Sequence, residues 1–401
     1  MLRTLAVRSA LLSGLLTACM SAPTWSAPVA EPASALVEAD PAASGRGTNA
    51  KPEDAGARAI SKAVDQAAGR LFKESAEAVG MAIGIVKDGK TYTYTYGTVA
   101  RGVKRAPTAD TRYLIASITK TFTGTLLAQA ALEKKVALDD DIRKYLDGEF
   151  PNLEFQGHPI RLQDLLDHRS GLPLSLPETN ENSLAVLAQL KRNYSRRDFY
   201  NDLHKIKLTA IPGGETTQYS NAAVQLASFI LERIYGMPYE TLLKTRILTP
   251  LGMDATCLSA SCSPTANVAV GYVGKDKPAP DDSTPLEAAG ALKSTLNDML
   301  KYARWQLEEK DPAVKLTHQP LFTSGDYSAG LNWQIMRSNE KRIIWQSGNF
   351  PGFHSLCVSL MSSKIAVVVL SNDMETGMSN RRHLMVNEIL KQLDPGAVPL
   401  P

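Results

Sequence analysis

Two residues, Ser117 and Lys120, have the types and the spacing for nucleophilic chemistry. They lie in RYLIASITKTFTGTLLAQAALEKK, where a short extended stretch passes into a long apolar helical pattern at Ser117. A serine at a helix start and a lysine three residues on share one face, one turn apart. The amine can therefore approach the hydroxyl, which is a weak nucleophile until a neighbour accepts its proton. Burial would lower the lysine pKa, because a low dielectric disfavours the charged form. The helix N-terminus adds free N–H groups and positive potential where an oxyanion would form. The plainer reading is an N-cap serine beside a solvated lysine. Context favours chemistry, since a lysine on a helix that is apolar on nearly every side is either buried or at a cleft. The S-x-x-K spacing alone is weak. Ser338 and Lys341 repeat it between two strand patterns, where it reads as a hairpin turn.

Two further segments hold polar groups suited to a substrate. IPGGETTQYSNAAVQLASFILERIYG places a Pro-Gly-Gly turn before Tyr219, Ser220 and Asn221, and then a helix striped by Ala223, Ala227, Ile230 and Ile234. Ser220 or Asn221 could simply cap that helix, with Tyr219 as a hydrophobic staple. A phenol near a lysine can also shuttle protons, and an asparagine amide can grip a substrate amide. In RIIWQSGNFPGFHS a strand leads to Gln346, Ser347, Gly348 and Asn349 before a Pro-Gly turn. A glycine in a strand often marks close approach of backbone or ligand, and an extended peptide could add along such an edge. An ordinary strand end is the alternative.

In order and spacing these three segments resemble the serine β-lactamase and penicillin-binding protein superfamily, in its class C β-lactamase-like branch. That branch runs S-x-x-K, then Y-x-N, then a K/H-T/S-G strand. LDDDIRKYL, LLDHRSGLP from Leu165 to Pro173, TPLGMDAT from Thr249 to Thr256 and ALKSTLNDMLKYA extend the likeness. It covers the chain from the Met81 strand to the final helix, and the cell-wall carboxypeptidase/endopeptidase group looks nearest. The resemblance implies that Ser117 attacks a carbonyl and that Lys120 and Tyr219 move protons. It further implies that Asn221 holds the substrate amide and that the Ser117 and Asn349 N–H groups form the oxyanion hole. His168 is implied to be a packed turn residue. One position departs: Gln346 stands where the branch carries Lys or His. Glutamine brings no charge, and charge-assisted bonds are about twice as strong as neutral ones. Weakened recognition of a substrate carboxylate is expected, with Lys341 and Arg342 as the nearest possible substitutes further up the strand. The implied function is hydrolysis of peptidoglycan-type D-amino-acid peptides or β-lactams through an acyl-serine. An esterase on the same scaffold and an inactive penicillin- or wall-binding lipoprotein are the alternatives.

The elements that must position these groups are segregated. A helical pattern from about Ala57 to Ala76 precedes MAIGIVKDGKTYTYTYG, which reads as a hairpin turning at Asp88-Gly89. Helical patterns dominate from 117 to about 307. Strand patterns return in AGLNWQIM, KRIIWQS, HSLCVSLM and KIAVVVLSN, before a last helix with Leu384, Val386, Ile389, Leu390 and Leu393 on its apolar face. The fold class expected is α+β: one antiparallel sheet from both chain ends, flanked by the terminal helices, with a mainly helical lobe inserted.

The N-terminus has a short basic start and an apolar stretch from Ala10 to Ala18, too short to span a bilayer and typical of an export signal. It ends in Leu-Thr-Ala-Cys, which resembles a lipobox with Cys19 as the lipidated residue. Simple cleavage further on is the alternative. The expected division is signal 1–18, an Ala/Pro-rich tether 19–56 and a hydrolase domain 57–398, in a periplasmic protein held at the membrane. Of the four cysteines, Cys257 and Cys262 are close enough for a small disulfide loop, favoured over a metal site because no histidine lies near. Cys357, in an apolar run, reads as a buried free thiol. The net charge of +3 carries no basic stripe, so no nucleic-acid partner is expected. With no metal, phosphate-loop or dinucleotide motif, no cofactor is expected.

Overall fold

The computed structural model describes residues 55–178, 193–274, 277–279, 287–338, 340–374 and 378–401. The expected export signal, Cys19 and all but the last two residues of the expected tether lie outside them. Ala55 and Gly56 already belong to helix α1, Ala55–Glu74.

Next come β1, Gly80–Lys87, and β2, Lys90–Gly97. Asp88 and Gly89 join them with φ of 51° and 73°, the two positive values that a tight hairpin turn requires. A 3₁₀ turn, Ala116–Ile118, opens α2, Thr119–Leu132. Every residue of α2 from Thr119 to Ala128 is buried, which explains an apolar pattern with no polar face. Helices α3, Asn221–Tyr235, and α4, Leu296–Glu308, follow. Six strands complete the sheet: β3, Phe322–Ser324; β4, Tyr327–Ala329; β5, Gln334–Ser338; β6, Lys341–Phe350; β7, Phe353–Leu360; and β8, Ile365–Ser371. Helix α5, Met378–Leu393, follows.

The sheet runs β3-β4-β5-β6-β7-β8-β1-β2, with every neighbouring pair antiparallel. Its two halves join where Met81 faces Ser371 and Lys87 faces Ile365. Side chains alternate between two cores. From β8, Val367 and Val369 pack under α1 and α5 with Ile60, Val64, Val386 and Ile389. Ala366, Val368 and Leu370 face the helical lobe with Phe122, Leu126 and Leu300. At Gly84 a β-carbon would come within 2.7 Å of Leu300, so glycine lets α4 press onto β1.

Two expectations need correction. Leu384 is 66% exposed; the buried stripe of α5 is Met385, Val386, Ile389 and Leu390, which leaves Leu384 on the far side of the helix. The strands β3 and β4 were not anticipated, because three residues are too few to show alternation. Cys257 and Cys262 form a disulfide, and Cys357 is a buried free thiol. Among the described residues no helix is long and apolar enough to cross a membrane.

Candidate active site

Three stretches distant in sequence meet at the oxygen of Ser117. The residue before it, Ala116, has φ of 45°, an uncommon value for a residue with a side chain. This sharp turn carries the chain from the sheet-side stretch into α2 and leaves Ser117 partly open above it. Lys120, one turn on, is fully buried; its Nζ donates to Ser117 Oγ at 2.9 Å and to the Ala289 carbonyl. Burial lowers its pKa from 10.5 to about 7, so an uncharged amine is well populated near neutrality.

Tyr219 arrives because Ser220 caps α3. The Ser220 hydroxyl accepts from the Ala223 N–H at 2.9 Å and donates to the Pro173 carbonyl at 2.6 Å. Capping and placement are thus one arrangement, with Tyr219 immediately before the cap and Asn221 as the first helical residue. The Tyr219 hydroxyl donates to Ser117 Oγ at 2.8 Å, and Lys120 Nζ lies 5.0 Å from its ring centroid. Loss of solvation raises the phenol to about 12, with the Ser117 hydrogen bond opposing, although 41% of the residue stays open to solvent. The Asn221 N–H donates to the Leu174 carbonyl at 2.8 Å. Its side-chain amide makes no hydrogen bond among the described residues. His168 packs its ring 4.3 Å from that of Tyr219, and its Nδ1 accepts from the Ser220 N–H at 3.4 Å. Burial first, and then the Lys120 charge, press its pKa down to about 3, so it stays neutral.

Strand β6 closes the third side. At Gly348 a β-carbon would stand 2.4 Å from the Ile115 carbonyl, 2.4 Å from Ser355 Oγ and 2.9 Å from the Ser117 nitrogen. Only glycine fits between the strand and the nucleophile turn. Ser347 is partly open and Asn349 is exposed. Gln346 was expected to face substrate, but only 3% of it is exposed. Its Nε2 donates to the Asn332 carbonyl at 2.8 Å, and its Oε1 accepts from the Ser347 N–H at 3.0 Å. Gln346 therefore lies beneath the site. Lys341 and Arg342 do not stand in for the missing cation, because Lys341 pairs with Asp394 at 3.1 Å and Arg342 with Glu309 at 2.6 Å.

Two contributors had not been singled out in the sequence. Ala289 acts through its carbonyl, which no residue type announces. Asn332, in the turn before β5, is buried with φ of 61° and donates through Nδ2 to the Lys120 carbonyl at 2.9 Å. The pattern AGLNWQIM places it inside a strand, but residues 330–333 form the connection between β4 and β5, and an asparagine is the only hint of a left-handed turn there. Among the described residues no group of three or more His, Cys, Asp or Glu could hold a metal ion.

The arrangement is a hydroxyl flanked by an amine and a phenol, with strand backbone along one wall. The beta-lactamase family profile matches residues 67–389. A beta-lactamase of Lysobacter lactamgenus is 26% identical over 312 residues, which is 73% of this chain and 76% of that protein. An unguisins hydrolase of Aspergillus campestris is 27% identical over 343 residues, 79% of this chain; the alignment spans only 62% of that longer protein. A solved class C beta-lactamase shares the fold, with a TM-score of 0.72 at 23% identity over 86% of this chain and 99% of that one. The profile match begins within α1, ends within α5 and takes in every segment that meets at Ser117, so this chain belongs to the beta-lactamase family of serine hydrolases.

Proposed function

We propose that the protein is an exported hydrolase that cleaves amide bonds of peptidoglycan-type D-amino-acid peptides and β-lactams through an acyl-Ser117 intermediate. The observation that carries this reading is the double contact at one oxygen, 2.9 Å from Lys120 Nζ and 2.8 Å from the Tyr219 hydroxyl. With Lys120 uncharged, its lone pair takes the Ser117 proton as Oγ attacks the substrate carbonyl. The Ser117 and Asn349 N–H groups hold the developing oxyanion, and the Asn221 amide holds the substrate's acyl-side amide. Tyr219 keeps its proton at neutral pH, so it donates to the leaving nitrogen and is reprotonated from Lys120. Water then attacks the acyl group, giving its proton back through Tyr219 and Lys120 to release Ser117. Incubation with a labelled penicillin should add one penicillin mass to the protein, and Ser117→Ala should add none. An unlabelled wild type, or an equally labelled variant, sinks the assignment.

One observation favours a second reading, an esterase on the same scaffold. Gln346 is neutral and buried, and the cations further up β6 are engaged elsewhere. A substrate carboxylate would find on this strand only cations already paired with Asp394 and Glu309, whereas an ester needs none. Turnover of short acyl esters with little cleavage of D-Ala-D-Ala peptides would select this reading, and the converse would reject it.

For location, the basic start, the short apolar run and Leu-Thr-Ala-Cys support export with lipid attached at Cys19. In a bacterial host the chain should take up labelled palmitate, and Cys19→Ser should not. Equal labelling of both would exclude Cys19 as the anchor.

A further inference from the structure

Asn332 has no hydrogen bond to Ser117 or Tyr219, yet it is tied to two walls of the site and to the turn that backs the third. Its N–H donates to the Leu166 carbonyl at 2.9 Å, two residues before the His168 that packs on Tyr219. Its carbonyl accepts from Gln346 Nε2 at 2.8 Å, on the strand that carries Gly348 and Asn349. Its side-chain Nδ2 donates to the Lys120 carbonyl at 2.9 Å. We propose that Asn332 is a positioning residue that fixes Lys120 against Ser117 by cross-linking α2, the His168 turn and β6, with Gln346 as its anchor on the strand.

Three features argue that this is more than filling. The contact with α2 is closed tightly beside Asn332, since a β-carbon on Gly124 would lie 2.4 Å from the Leu331 carbonyl. The helix cannot slide past this turn without moving its lysine. The Asn332 backbone sits at φ of 61°, which glycine adopts at less cost. Asparagine tolerates this backbone but glycine fits it better, so what asparagine adds over glycine is the bond from its side chain to the Lys120 carbonyl. Gln346 spends its amide on Asn332, Ser347 and, at 3.4 Å, the Gln334 side chain rather than on the open cleft. The uncharged residue in the third motif thus has a use of its own: it holds the turn that holds the lysine.

The inference rests on the acyl-serine reading for its catalytic consequence, but the Lys120 titration can be followed without turnover. Asn332→Gly keeps both main-chain bonds, relieves the backbone and deletes only the side-chain link to Lys120. Gln346→Met keeps the volume and cuts the anchor. Each would be compared with wild type by thermal melting, by kcat and KM on a p-nitrophenyl ester, and by NMR titration of 13C-labelled lysine assigned with Lys120→Met. Both variants should melt within a few degrees of wild type, with kcat down about tenfold or more and KM changed less than twofold. The Lys120 titration should move upward by about one unit as water reaches a loosened amine. Folded variants with wild-type kcat and an unmoved titration would overturn the proposal. Should wild type itself turn over no ester and take no penicillin label, the hydrolase reading fails. The lysine titration alone would then decide the role of Asn332, with an unmoved titration counting against it.

Discussion

Methionine in place of Lys120 should end turnover and also make the protein harder to unfold near neutral pH. Loss of a general base costs about 10²–10⁴ in rate, so kcat should fall at least a hundredfold. Stability moves the other way. The folded protein releases the Lys120 proton near 7, while an unfolded chain holds it to 10.5. Between these values unfolding takes up a proton, so stability contributed through this residue rises with pH from 7 to 10.5 and is flat below 7. At about 1.4 kcal/mol per unit, the burden at pH 7 is about 5 kcal/mol. Methionine removes it but leaves the buried Ala289 carbonyl without its donor, a loss of about 1–3 kcal/mol. A net gain of about 2–4 kcal/mol near pH 7, turning into a net loss of about 1–3 kcal/mol by pH 10.5, where the burden is gone and the unpaired Ala289 carbonyl remains, is the expected result of denaturant titrations at several pH values. In wild type, kcat/KM should rise with pH through about 7 as the amine loses its proton. A methionine variant less stable than wild type at pH 7, or a pH-rate profile with no acid limb near 7, would show that Lys120 is not a buried neutral base.

Gly348→Ala should have the next largest effect. The added carbon would need to occupy space 2.4 Å from both the Ile115 carbonyl and Ser355 Oγ, and 2.9 Å from the Ser117 nitrogen. The first and last of these are backbone atoms, so the strand or the nucleophile turn must shift. The turn has little slack, since the Ile115 carbonyl already accepts from Ser355 Oγ at 2.6 Å and Ala116 is in the left-handed region. Displacement of about 1 Å near reacting groups costs about a hundredfold in rate. A fall of that order in kcat/KM, together with a lower melting temperature, is expected. Gly69→Ala in α1 is the control, because its β-carbon meets nothing within 4 Å. Alanine there should leave activity unchanged and stabilise the helix by about 0.5–1 kcal/mol. Normal rates in Gly348→Ala would mean that the strand does not set the geometry at Ser117.

Legibility in the sequence followed the range of the interaction. The Asp88-Gly89 turn and the one-turn spacing of Ser117 and Lys120 are local, and both are present as the residues suggested. The continuous apolar run of β8 marked a buried strand but hid the division of Val367 and Val368 between two cores. Nothing near Met81 announces a partner at Ser371. Tyr219 was ambiguous between staple and phenol, because the cap at Ser220 that positions it looks the same in either case. The lack of charge at Gln346 was plain, but its burial was not, since that depends on a turn at Asn332 reached only in three dimensions. Leu384 misled through its residue type, since two residues before Val386 is about 200° round the helix and already opposite the buried stripe.

The junction of β1 with β8 has a consequence for how the molecule is made. A hairpin synthesised early must wait, its inner edge unpaired, until residues 365–371 leave the ribosome. Strand β6 is likewise late, so no part-grown chain can hold Gly348 against the nucleophile turn. The nascent polypeptide therefore carries a dormant serine until residues 341–371 have been made and can pair.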